Sequence, residues 1–447
     1  MRQRRWLIPI FALALLAGAC GDDDDGGDAD ADADGGGQDD SGAEVEDDTG
    51  NVNLLSAVAP EEGEAVQAIF DDMINSETDY TAEIEASGTF EEQLQIRAEG
   101  GNLDLAAVPQ PGTVVEMAAR GEIVSMEDLG FDIDELNDTF GESFVALTEY
   151  EGEHYGLPTN INLKSMVWYP VDDFEAAGYE VPETWDDLVA LSDQIVEDGS
   201  TPWCVGFESE GSSGWPATDW MEDIVLRTAG GDVYDQWVAH EIPFDDPAIV
   251  AAAEEFGGIM FGEGYVLGGI ENTPNIAFGD APVPMFDDPP SCWLHRQASF
   301  INSFFPEGTV AGEDYDWFPL PPIDQEGTLF AGEFTVVGSN RAEVVDFLER
   351  FIDVPVQCEM GGVVGSSRIS PHVEVGPDCY ANEILADASV ILTDALSEGT
   401  GRFDASDLMP AEVGSGSFWT GMLQLVTEGP DSIETVLADI EASWPED

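Results

Sequence analysis

The sequence predicts an α/β body built from two units, and three observations carry that prediction. Short apolar runs alternate with helical periodicities from Val52 to Ala119, a second series of helix starts begins at Thr184, and the chain past residue 50 is long enough for two or three domains with real cores. Alternation at this spacing predicts parallel strands with helices on both faces.

Val52 to Val58 is an apolar run suited to a buried strand, and Val66, Ile69, Phe70, Met73 and Ile74 recur at helical spacing behind the acidic first turn Glu61-Glu62-Gly63-Glu64. Thr81 to Ala86 reads as a second strand, Phe90 to Ala98 as a helix, and Leu103 to Val108 as a third strand. Pro111 opens a helix through Ala119. Thr184 with Asp187 makes a capping-box start for a helix whose inward face is Leu188, Leu191 and Ile195. Asp246-Pro247 starts another, with Ile249, Val250, Ala253 and Phe256 inward. From Trp203 to Pro322 the chain is otherwise dense in Trp, Pro and Gly, which reads as irregular loops over a sheet. Phe334 to Gly338 reads as a strand, Asn340 as the cap of a helix through Phe351, and Asp431 to Ser443 as the last helix, with Ile433, Val436, Leu437 and Ile440 on one side.

The amino terminus predicts where this body works. Arg2, Arg4 and Arg5 precede an apolar stretch from Trp6 to Ala17, too short to span a bilayer, and Ala17-Gly18-Ala19-Cys20 closes it with small residues before a cysteine. That order predicts a secretion signal (1–19) with lipid attachment at Cys20. Gly21 to Gly50 is nearly all Asp, Gly, Ala and Glu, a composition that self-repels into an extended tether. Asp30, Asp32, Asp34 and Gly35 match half of a calcium loop, but its twelfth position is Ser41. The expectation is a body at the outer face of a membrane, extracytoplasmic and held only by the anchor.

The formal net charge is −82, and only fourteen of the 94 acids lie at positions 21–50, so the acidity belongs to the body. Such a surface repels nucleic acid and anionic headgroups, and its physical reading is adaptation to high salt. Four cysteines remain beyond Cys20: Cys204, Cys292, Cys358 and Cys379. Outside the cell they suggest two disulfides, with three connectivities open. The pairing expected is Cys204–Cys292, each beside a tryptophan, and Cys358–Cys379, a short local separation. None has zinc-ligand spacing and the histidines are scattered, so neither metal nor cofactor is expected.

No catalytic signature is present: no zinc-protease helix follows His240-Glu241, no serine sits in a nucleophile elbow, and no phosphate loop ends in Gly-Lys-Ser/Thr. A glycosidase needs only two carboxylates, so a surface glycoside hydrolase stays open as the alternative. What stands out is aromatic rings among small polar or acidic groups: Trp215-Pro-Ala-Thr-Asp219-Trp220, Phe286-Asp287-Asp288-Pro-Pro-Ser-Cys292-Trp293, and Ser417-Phe418-Trp419. A sugar needs a flat ring face for its C–H side and planar acceptors or donors for its hydroxyls. The same rings also suit a core.

These residues resemble a family. Tyr155-Gly-Leu-Pro158-Thr-Asn160-Ile-Asn-Leu-Lys164-Ser-Met-Val-Trp168-Tyr169-Pro170, with Phe174 to Tyr179 and Val181 to Leu188, is similar to the hinge and second-lobe entry of extracellular solute-binding proteins of sugar ABC importers. The segments around Trp215 to Trp220, Phe286 to His295 and Gly332-Glu333-Phe334 resemble its α-glucoside-binding branch. The resemblance implies a two-lobe, periplasmic-binding-protein-like α/β fold with a hinge, no enzymatic activity, an α-glucoside or related oligosaccharide as ligand, an ABC permease as partner, and a monomer. It implies ligand contacts at Glu62, Gln110, Asn160, Asp219, Trp220, Trp293, Glu333, Arg368, Phe418 and Trp419. The expected division is 20–50 linker, 51–161 and 329–375 first lobe, 162–328 second lobe, and 376–447 helices completing the second lobe and hinge side. Lys164, the one lysine of the chain, is expected to tie the hinge rather than touch ligand.

Overall fold

Alternate residues of a strand point to opposite faces, and in the strand Asn51–Ser56 both faces are apolar: Val52 and Leu54 enter one core and Leu55 another. The structure, a computed structural model, describes residues 50–58, 60–363 and 366–445. The leader, Cys20 and the acidic tether lie outside the described residues.

Asn51–Ser56 lies between Thr81–Ala86 and Leu105–Val108 and parallel to both. Thr328–Val337 then runs antiparallel to Leu105–Val108 on one side and to Leu157–Leu163 on the other, and parallel to the short Gly401–Phe403. One face is covered by Phe70 and Ile74, with Phe347 and Phe351 from the helix Ala342–Phe351. The other is covered by Phe90 and Leu94, Val114 and Met117, and the helix Glu383–Glu398.

The second lobe is built on a smaller antiparallel sheet, Met166–Pro170 between His295–Arg296 and Tyr315–Pro319. Its core joins the helices Trp185–Glu197, Trp215–Ala229, Pro247–Met260, Trp419–Glu428 and Ile433–Glu441. The caps work as their chemistry predicts: Thr184 Oγ1 accepts from the Asp187 amide and Asp246 from that of Ala248.

Three segments cross between the two sheets, and they meet. The Ser165 carbonyl accepts from the Leu320 amide at 3.0 Å, its hydroxyl from that of Leu329 at 2.9 Å, and Asp404 N–H reaches the Phe330 carbonyl at 2.8 Å. Cys204 pairs with Cys292 and Cys358 with Cys379.

Other expectations are corrected. Within Trp203 to Pro322 the irregular reading holds for most of 261–314 but misses two helices, Trp215–Ala229 and Gly231–Val238, that precede Pro247–Met260. Twelve consecutive residues of Trp215–Ala229, Pro216 to Arg227, are buried, so the helix shows no polar stripe from which its period could be read. Asn340 is not the cap of its helix; Arg341 holds that position, and its side chain bonds Asp104 and the Asn51 carbonyl instead of capping the helix. The strand at Phe334 begins six residues earlier, at Thr328, and the last helix starts at Ile433 after a 3₁₀ turn over Pro430–Ser432.

Candidate functional site

The first three strands end on one side of their sheet, and the loops that follow them open a cavity of about 710 Å³. Val58 and Pro60 follow the first strand, Ser87 and Gly88 the second, Pro109 and Gln110 the third. This is where an open parallel sheet with a reversal of strand order leaves a crevice. Opposite them lie Glu208, Trp215, Asp219, Phe278, Phe300 and Trp419 of the second lobe.

Trp215 stands half-buried with Phe278 5.0 Å and Phe300 5.9 Å away between ring centroids, and Phe304 continues the ledge 5.0 Å from Phe278. Its helix begins at Gly214, whose φ of +112° suits glycine and whose absent side chain lets the Trp419 carbonyl approach to 2.3 Å from where a Cβ would stand. Trp419 is fixed by its own N–H, which donates to Ser406 Oγ at 3.3 Å.

The floor is ionic. Lys164 Nζ donates to Asp219 Oδ1 at 2.8 Å and Asp404 Oδ2 at 2.6 Å, and stands 5.5 Å over the Trp215 ring. Burial alone would lower the ammonium's pKa, but Asp219 and Asp404 hold it above the usual lysine range. Burial would likewise raise Asp404, yet Lys164, the Ser406 hydroxyl and the Asp407 amide bring it down to about 2. Asp219 is pushed up to about 6, chiefly by burial and then by Asp404, against the pull of Lys164 and of the Arg296 guanidinium 3.5 Å from its Oδ2, an oxygen that accepts no hydrogen bond among the described residues. Carboxylate oxygens of Asp219, Glu222 and Asp404 lie within 4.8 Å of one another, close enough for a cation. The lysine supplies that charge, and Glu222 is occupied by the amides of Ala405 and Ser406.

On the first-lobe side, Glu62 accepts from Ser367 Oγ at 2.8 Å, and burial raises its carboxyl above the usual range against the pull of Arg368. Glu333 is held by Arg368 Nη2 at 3.1 Å and sits at the register shift between Glu333 and Phe334, a bulge that re-aims its side chain. Asn160 accepts from the Ile369 amide at 3.1 Å.

Glu62, Gln110, Asn160, Asp219, Glu333 and Trp419 thus come together around the cavity, and Lys164 ties its floor. Arg368 stands behind it, buried as the partner of Glu333. Trp220, Trp293 and Phe418 do not line the cavity: all three pack in the second-lobe core. Trp220 packs edge-on against Trp203 at 5.0 Å, Trp293 against Tyr179 at 5.0 Å with its N–H on Ser200, and Phe418 against Phe244 at 5.1 Å. Sequence reasoning missed Trp215 as the ledge, along with Phe278, Phe300, Phe304 and Asp407. A signal for Trp215 existed. Gly214 and Pro216 mark a helix start, and on a helix Asp219 lies about 40° around from Trp215 while Trp220 lies about 140° away.

Comparison with known proteins agrees with this geometry. Residues 57–353 match the family described as bacterial extracellular solute-binding protein. The chain is 40% identical over 391 residues to the alpha-glucosides-binding periplasmic protein AglE of Rhizobium meliloti, covering 85% of this chain and 83% of that one. It is 36% identical over 419 residues to the osmoprotective compounds-binding protein GgtB of Synechocystis, covering 90% and 94%. The structure of maltose-bound T. maritima MalE3 shares the fold with a TM-score of 0.68 at 18% identity, covering 88% of this chain and 99% of that one. Among the described residues no helix is long and apolar enough to cross a membrane.

Proposed function

The chain belongs to the bacterial extracellular solute-binding proteins, the receptors that carry sugars to ABC importers, and from that premise we propose that its ligand is an α-glucoside closed between the two lobes. The observation that carries this reading is the cavity of about 710 Å³ in which the Trp215 ledge faces acceptors from the other lobe, Glu62, Asn160 and Glu333. A ring covers one face of a pyranose, and carboxylates and amides take its hydroxyls. The name of one relative, for α-glucosides, supports a ligand of the kind of maltose, trehalose or sucrose, and that of the other, for osmoprotective compounds, fits a small solute.

In this reading the sugar shifts the protein toward its closed form by touching both lobes, with the three crossings at Lys164 and Ser165 as the hinge. Trp419, Asp219 and Gln110 complete the contacts. Cys20 carries the lipid anchor, and the closed monomer is what the permease receives. No bond is broken. Calorimetric titration against mono-, di- and trisaccharides, followed by an assay for free glucose, tests all of this. Saturable 1:1 binding of an α-glucoside without glucose release is expected. Released glucose would favour a surface glycoside hydrolase, and no saturable binding to any saccharide would end the receptor reading.

A further inference from the structure

Surface acidity in a high-salt protein is hydrated and screened, but acidity inside a cleft is not. Nine of the cavity's lining side chains are carboxylates against a single ammonium, and five of the nine, Glu62, Asp219, Glu333, Asp404 and Asp407, are at most 9% exposed. The cations on hand are committed: Lys164 to Asp219 and Asp404, Arg368 to Glu333.

Asp407 is left over. It is 6% exposed, lines the cavity, and its carboxylate makes no hydrogen bond or ion pair among the described residues. Asp404 and Asp219 on its own side repel it, and Lys164, bonded to those two carboxylates and not to Asp407, offsets that repulsion only in part. Glu91, at the start of the helix Phe90–Gly100 across the cleft, is close enough to repel it as well. Glu91 too has no side-chain partner among the described residues, and burial pushes the Asp407 carboxyl well above its usual range. The Asp407 oxygens open onto the cavity, so a charge carried by a ligand can reach a carboxylate that no protein group among the described residues holds.

Resting on the receptor reading above, we propose that the closed cleft takes a positive charge between Asp407 and Glu91, supplied by a protonated amine on the bound sugar or polyol. The alternative source of the same chemistry is a small inorganic cation taken up beside a neutral sugar. Either way a charge from the ligand side joins the two lobes at a point where they otherwise repel. An anionic sugar places its charge against the same carboxylates and is excluded.

The test uses the full protein. Maltose and trehalose are titrated at equal ionic strength in sodium chloride and in tetramethylammonium chloride, beside their mono-amino-deoxy analogues and trehalose 6-phosphate. If the amine is the source, at least one amino sugar binds about tenfold or more tighter than its parent in both salts. If an inorganic cation is the source, the parent sugar binds about tenfold or more tighter in sodium than in tetramethylammonium. In either case Asp407→Asn reduces that ratio to near one, and the phosphate does not bind. Parent sugars that bind equally in both salts, with amino sugars no tighter, overturn this inference while leaving the receptor reading intact. Absence of binding by every compound overturns both.

Discussion

Trp215 and Trp220 sit five residues apart in one helix yet do different work. The first is half-buried and stands on the cleft, the second is 2% exposed and packs on Trp203. Trp215→Ala removes a stacking face, and affinity for the sugar should fall about tenfold while the melting temperature barely moves. Trp220→Ala empties a core site and should cost roughly 3–5 kcal/mol of stability. Measuring both properties for both variants separates the two roles, and the opposite pattern would relocate the cleft. His295 gives a pH prediction. Its Nδ1 bonds the Cys204 carbonyl at 2.8 Å, and burial holds its pKa down to about 4, so the folded protein keeps it neutral. An unfolded imidazole titrates near 6.5, so protons favour the unfolded chain as pH falls from about 6.5 to about 4, and up to about 3 kcal/mol is lost across that window. The variant His295→Asn, whose amide can take over the bond to Cys204, should lose less stability than the parent between those pH values. Parallel melting curves for the two proteins would show that His295 contributes nothing to the acid limb.

At the scale of elements, Gly214 connects the two parts of the aromatic site. A Cβ there would stand 2.3 Å from the Trp419 carbonyl, on a backbone with φ of +112°. Gly214→Ala should therefore destabilise by about 2 kcal/mol or more and weaken sugar binding together, because the start of Trp215–Ala229 must move away from Trp419. An alanine variant with unchanged melting and affinity would show that the two elements are not coupled. This helix also marks the limit of what could be read from the chain. Strands such as Thr81–Ala86 and helices with one wet face, such as Trp185–Glu197, were legible because burial on one side leaves a period in the sequence. Trp215–Ala229 is buried nearly all round and leaves none, so its tryptophans read as loop rings, and nothing in the sequence period separates Trp220 in the core from Trp215 on the cleft. Glu62 and Gln110 are legible because each follows the end of a strand, whereas Glu333 is legible only through the resemblance of Gly332-Glu333-Phe334. Phe278, Phe300 and Phe304 were not, because their short 3₁₀ and irregular segments carry no periodic signal and only tertiary contact brings them together.

For the molecule as a whole, 80 acids against 9 basic residues past position 50 make the folded state repel itself wherever counterions are scarce. Melting temperature should rise steeply between low and molar sodium chloride, and a flat profile would remove the high-salt reading. The central claim is mechanical: a sugar touching both lobes holds them closed about the crossings at Lys164, Ser165 and Asp404. Small-angle X-ray scattering with and without a saturating α-glucoside measures that directly. The account predicts a smaller radius of gyration on binding, reversed when the sugar is removed. Saturable binding with an unchanged radius of gyration would contradict it.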